Sequence, residues 1–217
     1  MSWFDSELWS IIALTMQVAI VALAIASILG VPAGLLLGLT RFPGKRLLIA
    51  LVYTGMALPP VVVGLVVYIF LSRSGPLAFL EWLFTPSAMI LAQTVMAFPL
   101  ITGLVMNAVT AVPSELVLQI RSLGATAWQE QWTILREVRA GVMFAVLVTF
   151  GRIISEVGAA LIVGGNIQGH TRVLSTAIVL ETGKGNFALA LALGGWLVGL
   201  ALLVNLAAMR LQKRPMA

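Results

Sequence analysis

Apolar residues dominate five stretches of the chain, roughly 10–39, 47–71, 87–110, 140–163 and 187–209, and polar residues collect between them. A helix needs about 20 apolar residues to cross the hydrocarbon core of a bilayer, and each stretch is that long. The pattern predicts an all-α membrane protein with about five transmembrane helices, in a single domain covering residues 1–217. The first stretch contains Pro32, expected to kink the helix or to mark a change from interfacial helix to span. A division there would give a sixth span. Gly30, Gly34 and Gly38 recur every fourth residue, as do Gly195 and Gly199. Small residues at that spacing let helix backbones approach closely in lipid, although glycine is also simply common in membrane helices.

One polar stretch departs from this pattern. Residues 113–138 are too polar to span and too regular for a loose loop. Pro113 and Ser114 form a helix start, with Glu115 in the first turn where its charge suits the helix dipole. Leu116, Ile120 and Leu123 recur at spacings of four and three, which predicts one apolar face. Gly124 breaks that helix. Thr126-Ala127-Trp128-Gln129 then reads as a capping box opening a second helix, on which Trp128, Trp132 and Leu135 recur at helical spacing. The expectation is two short amphipathic rods joined by a glycine bend. Such rods could float among lipid headgroups, pack on the chain's own spans, or offer a docking surface to another protein.

Charge orients the spans. With the N-terminus outside, the cytoplasmic segments hold nine basic residues: Arg41, Lys45, Arg46, Arg121, Arg136, Arg139, Arg210, Lys213 and Arg214. The outer segments hold three, Arg73, Arg172 and Lys184. Basic residues favour the cytoplasmic side, so the N-terminus is expected outside, the C-terminus inside, and residues 113–138 in the cytoplasm. The net charge of +5 does not point to nucleic acid, because the basic residues lie singly or in twos and threes, with no basic stripe. The chain has no Cys and one His, which excludes disulfides, thiolate sites and a His-based metal cluster within one copy. Its start, MSWFDSELW, is acidic, so no cleaved signal peptide is expected.

Three features within the apolar stretches carry possible chemistry. Pro59 and Pro60 fall in the middle of the second. Together they remove two backbone donors and must break or kink the helix, and irregular backbone at membrane depth survives only where it lines a cavity or is buried in protein. Arg152 and Glu156 lie four apart in the fourth, a spacing that puts them on one helix face where they could neutralise each other. The other reading sets Arg152 beside a path where it would favour an anion. The third feature is Gly164-Gly165-Asn166-Ile167-Gln168-Gly169-His170-Thr171-Arg172. It imitates a phosphate-binding loop with His170 in place of Lys, but follows a membrane helix rather than a strand and, on this topology, faces outward. It is expected instead as a re-entrant or hinge segment near an external gate. There, backbone N–H groups with His170, Thr171 and Arg172 could touch an oxyanion briefly.

The run RSLGATAWQEQWTIL, residues 121–135, resembles the cytoplasmic loop of the permease subunits of bacterial ABC importers. The loop motif there reads E-A-A, three residues, Gly, nine residues, I-x-L-P. Gly124 and Ile134 fall at that separation, and Arg121, Ser122, Leu123, Gly124 and Ala125 match the common core; Leu118-Gln119-Ile120 replaces E-A-A, and Arg136-Glu137 replaces Leu-Pro. The resemblance implies that residues 113–138 form a coupling loop docking on a cytosolic ATPase. It would do so through Arg121, Ser122, Leu123, Gly124, Ala125, Trp128 and Ile134, with Ala125 small so that the partner can approach. LPPVVVG at 58–64 resembles the molybdate, sulfate and tungstate branch of these permeases, where this helix lines the pathway. SEVGAALIVGGNIQGHTRVLSTAI and LETGKG resemble its tungstate-importer members most closely, and the likeness covers nearly the whole chain. It implies two copies, an ATPase pair, an extracytoplasmic solute-binding protein, a surrounding lipid membrane, no cofactor, and no nucleotide hydrolysis by this chain. Pathway or gate candidates are Pro59, Pro60, Arg152, Glu156, Gly165, Asn166, His170, Thr171 and Arg172. An autonomous carrier or channel would usually show more intramembrane charges or an internal repeat. A membrane enzyme would need a catalytic set that one His and one intramembrane carboxylate do not supply.

Overall fold

The computed structural model describes residues 2–212, with side chains over 7–210; Lys213 and Arg214, counted above, lie outside them. The described residues are almost entirely helical, without strands. The first helix, α1 (Ser2–Leu39), runs unbroken through Pro32, so the chain does not divide there into two spans. At 1.5 Å per residue its 38 residues reach about 57 Å, nearly twice the thickness of a hydrocarbon core. Helix α4 (Pro86–Thr110) is the other long buried span, and α1 and α4 are the most extensively packed pair.

Their contact depends on the glycines at every fourth position. A Cβ on Gly34 would lie 2.7 Å from the carbonyl oxygen of Thr102 and 2.8 Å from Cβ of Val105; one on Gly30 would lie 3.0 Å from Ile101. The α1 backbone therefore rests directly on α4, as close approach in lipid requires. Gly195 and Gly199 have nothing within 4 Å of such a Cβ. The same spacing carries no packing there within the chain.

Among the described residues three helices are long and apolar enough to cross a membrane: α1, α4 and the C-terminal helix. Two bent pairs bring the number to five. In the first pair, α2 (Lys45–Ala57) and α3 (Pro60–Leu71) meet at 102°. Leu58 and Pro59 each precede a proline, which pushes a residue out of the helical region; both are extended, with ψ of 130° and 129°. Pro60 then opens α3 at a position that needs no N–H. The prolines thus set the break that the sequence announced.

The second bend was not announced. The stretch 140–163 divides into α7 (Arg139–Ile154) and α8 (Gly158–Gly164), bent by 59°. No proline causes it. The freed carbonyl groups are taken up by side chains instead: Ser155 Oγ donates to Gly151 and Arg152 at 2.9 and 3.1 Å, Gln93 Nε2 to Ile153 at 3.4 Å, and Ser175 Oγ to Glu156 at 2.7 Å. Orphan carbonyls at a helix end must find partners, and two of the three donors come from distant segments. The two bends lie side by side: α3 packs on α8, with a Cβ at Gly64 only 2.8 Å from Cα of Ala159.

Between α4 and α7 lie the short helices α5 (Ser114–Ser122) and α6 (Ala127–Glu137). After α8 come α9 (Leu174–Gly183) and α10 (Phe187–Gln212). Thr15 Oγ1 on α1 accepts the N–H of Leu174 at 2.9 Å and ties the start of α9 to α1.

Candidate functional site

The α5–α6 hairpin is built from local chemistry. Gly124 sits at φ +79°, a conformation that glycine adopts without steric cost. Its N–H donates to Arg121 O at 3.0 Å, and the next N–H, of Ala125, reaches Ile120 O at 3.4 Å. These paired bonds over a left-handed residue form a Schellman terminus. Two residues on, Thr126 opens α6: its N–H donates to Gln129 Oε1 at 2.8 Å, and Gln129 N–H donates to Thr126 Oγ1 at 3.3 Å. The capping box read from the sequence is present in both directions.

One interaction that fixes the hairpin was missed. Arg121 Nε and Nη2 donate to the two carboxylate oxygens of Glu130 at 2.9 and 2.8 Å, across the glycine bend. Glu130 is 8% exposed, so its carboxylate depends on this planar, two-point contact. The guanidinium's hydrogen bonds hold the Glu130 carboxyl below the ordinary carboxylate range, and the carboxylate raises Arg121 further. The signal was an Arg and a Glu flanking a predicted bend nine residues apart. Arg121 is therefore engaged within the chain.

The structure also redistributes the predicted apolar face. Ile120 and Ile134 are buried in the main cluster shared with α1, α4 and α7, and Ala125 packs against it. Ile134 is wholly buried, so it anchors the hairpin and is not a surface contact. Leu123 caps α5 and is 87% exposed, and Trp128 is 71% exposed. Helix α5 ends at Ser122, and Leu123 at its cap lies beyond the part of the face that is buried at Ile120. The buried side of α6 is Glu130 and Ile134, while Trp128 and Trp132 stack outward, with centroids 6.4 Å apart. Arg136 lies over the Trp132 ring at 5.3 Å, a cation–π contact. Leu118, Leu123, Trp128 and Trp132 leave a contiguous polypeptide turn with large apolar side chains facing out.

Arg152 and Glu156 do not form the expected pair. Helix α7 ends at Ile154, so the two no longer share a helical face. Glu156 is buried and its Oε1 accepts the N–H of Ala159 at 3.1 Å at the start of α8. Arg152 is exposed on the last turn of α7, and among the described residues no carboxylate lies within 4.0 Å of it. Next to Glu156, a Cβ on Gly158 would be 2.8 Å from Val61, just after the Pro59–Pro60 break. Pro59 is exposed and Pro60 half-buried.

In the 165–172 segment, Gly165, Asn166 and Gly169 all take positive φ, of 72°, 51° and 71°. Thr171 is fully buried: its hydroxyl accepts the Ile167 N–H at 2.9 Å and donates to Gly164 O. It holds the turn closed and is not free for a ligand. Arg172 is half-buried, 3.5 Å from Glu7 of α1, which also accepts from Gln168 at 2.8 Å. His170 is exposed. A helix, not a strand, precedes the segment, which rules out a phosphate-binding loop.

This arrangement of bent spans around a central helix, with a polar hairpin between the third and fourth spans, recurs among solved structures. An inward-facing structure of the MetNI methionine ABC transporter superposes with a TM-score of 0.76, covering 97% of this chain and 95% of that one, at 24% identity. Residues 30–215 match the family described as binding-protein-dependent transport system inner membrane component. The chain belongs to that family, and it is accordingly a multi-pass permease subunit of the cytoplasmic membrane. Among its relatives is a probable anion ABC transporter permease protein of Haloferax volcanii, 44% identical over 210 residues, covering 94% of this chain and 90% of the relative. Another is the tungstate uptake system permease protein of Peptoclostridium acidaminophilum, 42% identical over 210 residues, covering 97% and 92%.

Proposed function

We propose that the chain is the membrane-spanning subunit of an ATP-driven importer of tungstate, working as a homodimer with a pair of cytosolic ATPase subunits and an extracytoplasmic binding protein. The observation that carries the cargo is the 42% identity to the tungstate permease over 97% of the chain. In this reading the N-terminus is outside, the C-terminus inside, and the α5–α6 hairpin faces the cytosol. Exposed Leu123 and Trp128 give the ATPase an apolar grip. Buried Ile120 and Ile134 pass its movement to α1, α4 and α7. The chain hydrolyses nothing itself. Alternating access follows from the difference in affinity of the partner for ATP and for its products.

The cargo path runs by the two adjacent bends. A break in a membrane helix that is exposed in a single copy must line a cavity or meet protein, and both requirements are met when two copies enclose a path. Arg152 then contributes one unpaired cation from each copy, two charges against a dianion. Gly165, Asn166, His170 and Arg172 surround the outer entrance, with Thr171 holding their turn.

The test is uptake by proteoliposomes carrying the chain with its ATPase and binding protein. ATP-dependent accumulation of tungstate, with molybdate and sulfate competing only at higher concentration, is expected. Uptake indifferent to tungstate refutes the cargo, and uptake without ATP refutes the importer.

A further inference from the structure

A groove lies at the opposite end of α1 from Glu7. Open and of about 650 Å³, it runs between α1, α2 and α4, lined by Leu36, Leu48, Leu51, Val95 and Phe98, and by Thr40 and Phe42 just past the end of α1. Apart from two threonines its lining is wholly apolar. Beyond that end the chemistry inverts. Thr40 also lines a cavity of about 920 Å³ with Arg41 and Lys45, and Phe42 also lines one of about 520 Å³ with Arg41, Lys45 and Arg46. No carboxylate lines any of the three.

The cations are available. Among the described residues no Asp or Glu lies within 4.0 Å of Arg41, Lys45 or Arg46. The Lys45 ammonium spends one donor on Thr40 O at 2.9 Å and keeps two. Arg121 borders the larger cavity but is committed to Glu130. An apolar slot ending in three unpaired cations complements an amphiphile with an anionic head. It does not suit a purely apolar helix, which would leave the charges unmatched, nor a free anion, which would leave the slot bare.

We propose that this groove seats an anionic phospholipid, its phosphate on Arg41, Lys45 and Arg46 and an acyl chain along the slot between α1, α2 and α4. Basic pockets between membrane helices suit such headgroups, and each nearby cation strengthens binding roughly fivefold, so three give on the order of 100-fold preference over a zwitterionic lipid. The site is independent of the cargo. The occupant would wedge between α1 and α2, next to the base of the hairpin at Ser114 and Leu118.

The test is native mass spectrometry of the full chain, purified with its ATPase and titrated with phosphatidylglycerol or phosphatidylcholine. The expected result is retention of phosphatidylglycerol at far lower concentration, with the preference abolished by changing Arg41, Lys45 and Arg46 together to Ala. Leu51→Trp, which fills the slot, should weaken retention of both lipids. Equal retention of the two lipids by the unaltered chain overturns the proposal, as does a preference that survives the triple change. Because the chain has no Cys, Leu48→Cys reports a second copy: efficient disulfide formation between chains in the membrane would show protein covering the groove and overturn the lipid. Lipid preference can fail while tungstate uptake persists, which keeps the two claims separate.

Discussion

Gly124→Ala isolates the handedness of the bend from everything else in the hairpin. A Cβ at this position has nothing within 4 Å, so the added methyl meets no neighbour and the cost is confined to the backbone. At φ +79° an L-residue with a Cβ loses about 1 kcal/mol relative to glycine. That corresponds to roughly fivefold more frequent opening of the turn, since about 1.4 kcal/mol is a factor of ten. The assay is hydrogen exchange of peptides covering Ile120 to Gln129, where the Gly124 and Ala125 N–H groups close the turn. Gly124→Ala should exchange roughly fivefold faster there, with the spans unchanged. Gly124→Asn should fall between, because Asn tolerates the left-handed region. If Ala protects as well as Gly, the junction is not left-handed and the Schellman account fails. If Asn is worse than Ala, side-chain volume rather than handedness governs the bend.

Other perturbations probe separate parts of the structure. Gly34→Ala forces a methyl to within 2.7 Å of the Thr102 carbonyl oxygen and should cost about 1–3 kcal/mol by overpacking, read as a lower Tm of the detergent-solubilised chain; Gly195→Ala, with open space around it, should not lower that Tm. Glu130→Gln removes the carboxylate that Arg121 holds. Because the folded pKa of Glu130 is lowered, its contribution is complete above the unfolded value of about 4.3 and lost as pH falls through the folded one. Protection of the hairpin should therefore exceed that of Glu130→Gln at neutral pH, and the gap should narrow as the solution is made acid; a gap that does not change with pH would contradict the pairing. Thr171→Val removes a buried hydroxyl that accepts the Ile167 N–H and donates to the Gly164 carbonyl and should cost about 1–3 kcal/mol, measured by the same unfolding assay.

The parts of the fold that were legible in the sequence are those whose causes are local. Thr126 and Gln129 cap each other across three residues, Pro59 and Pro60 set their own break, and Gly30, Gly34 and Gly38 share a face by helical spacing alone. The apolar runs likewise gave the all-helical class, because span length is a property of the run. What stayed hidden depends on partners far along the chain. The bend at Ser155 is stabilised by Gln93 and Ser175, and no pattern around Arg152 and Glu156 reveals that a helix ends between them. Gly195 and Gly199 have the same spacing as the packing stripe on α1 but face no helix, since spacing states what can pack and not what arrives. On the hairpin, the apolar spacing of Leu116, Ile120 and Leu123 assumed one straight helix. Helix α5 ends at Ser122, so Ile120 is buried while Leu123, at the cap, is exposed.

The central claim is that the hairpin couples an ATPase to anion passage. Its most direct test is ATP hydrolysis by the chain reconstituted with its ATPase and binding protein, with tungstate, molybdate and sulfate added in turn, and Gly124→Trp run beside the unaltered chain. The account predicts stimulation by tungstate at the lowest concentration and loss of that stimulation in Gly124→Trp while the spans remain folded. Hydrolysis indifferent to all three anions would contradict the cargo. Full stimulation in Gly124→Trp would contradict the coupling role of the hairpin.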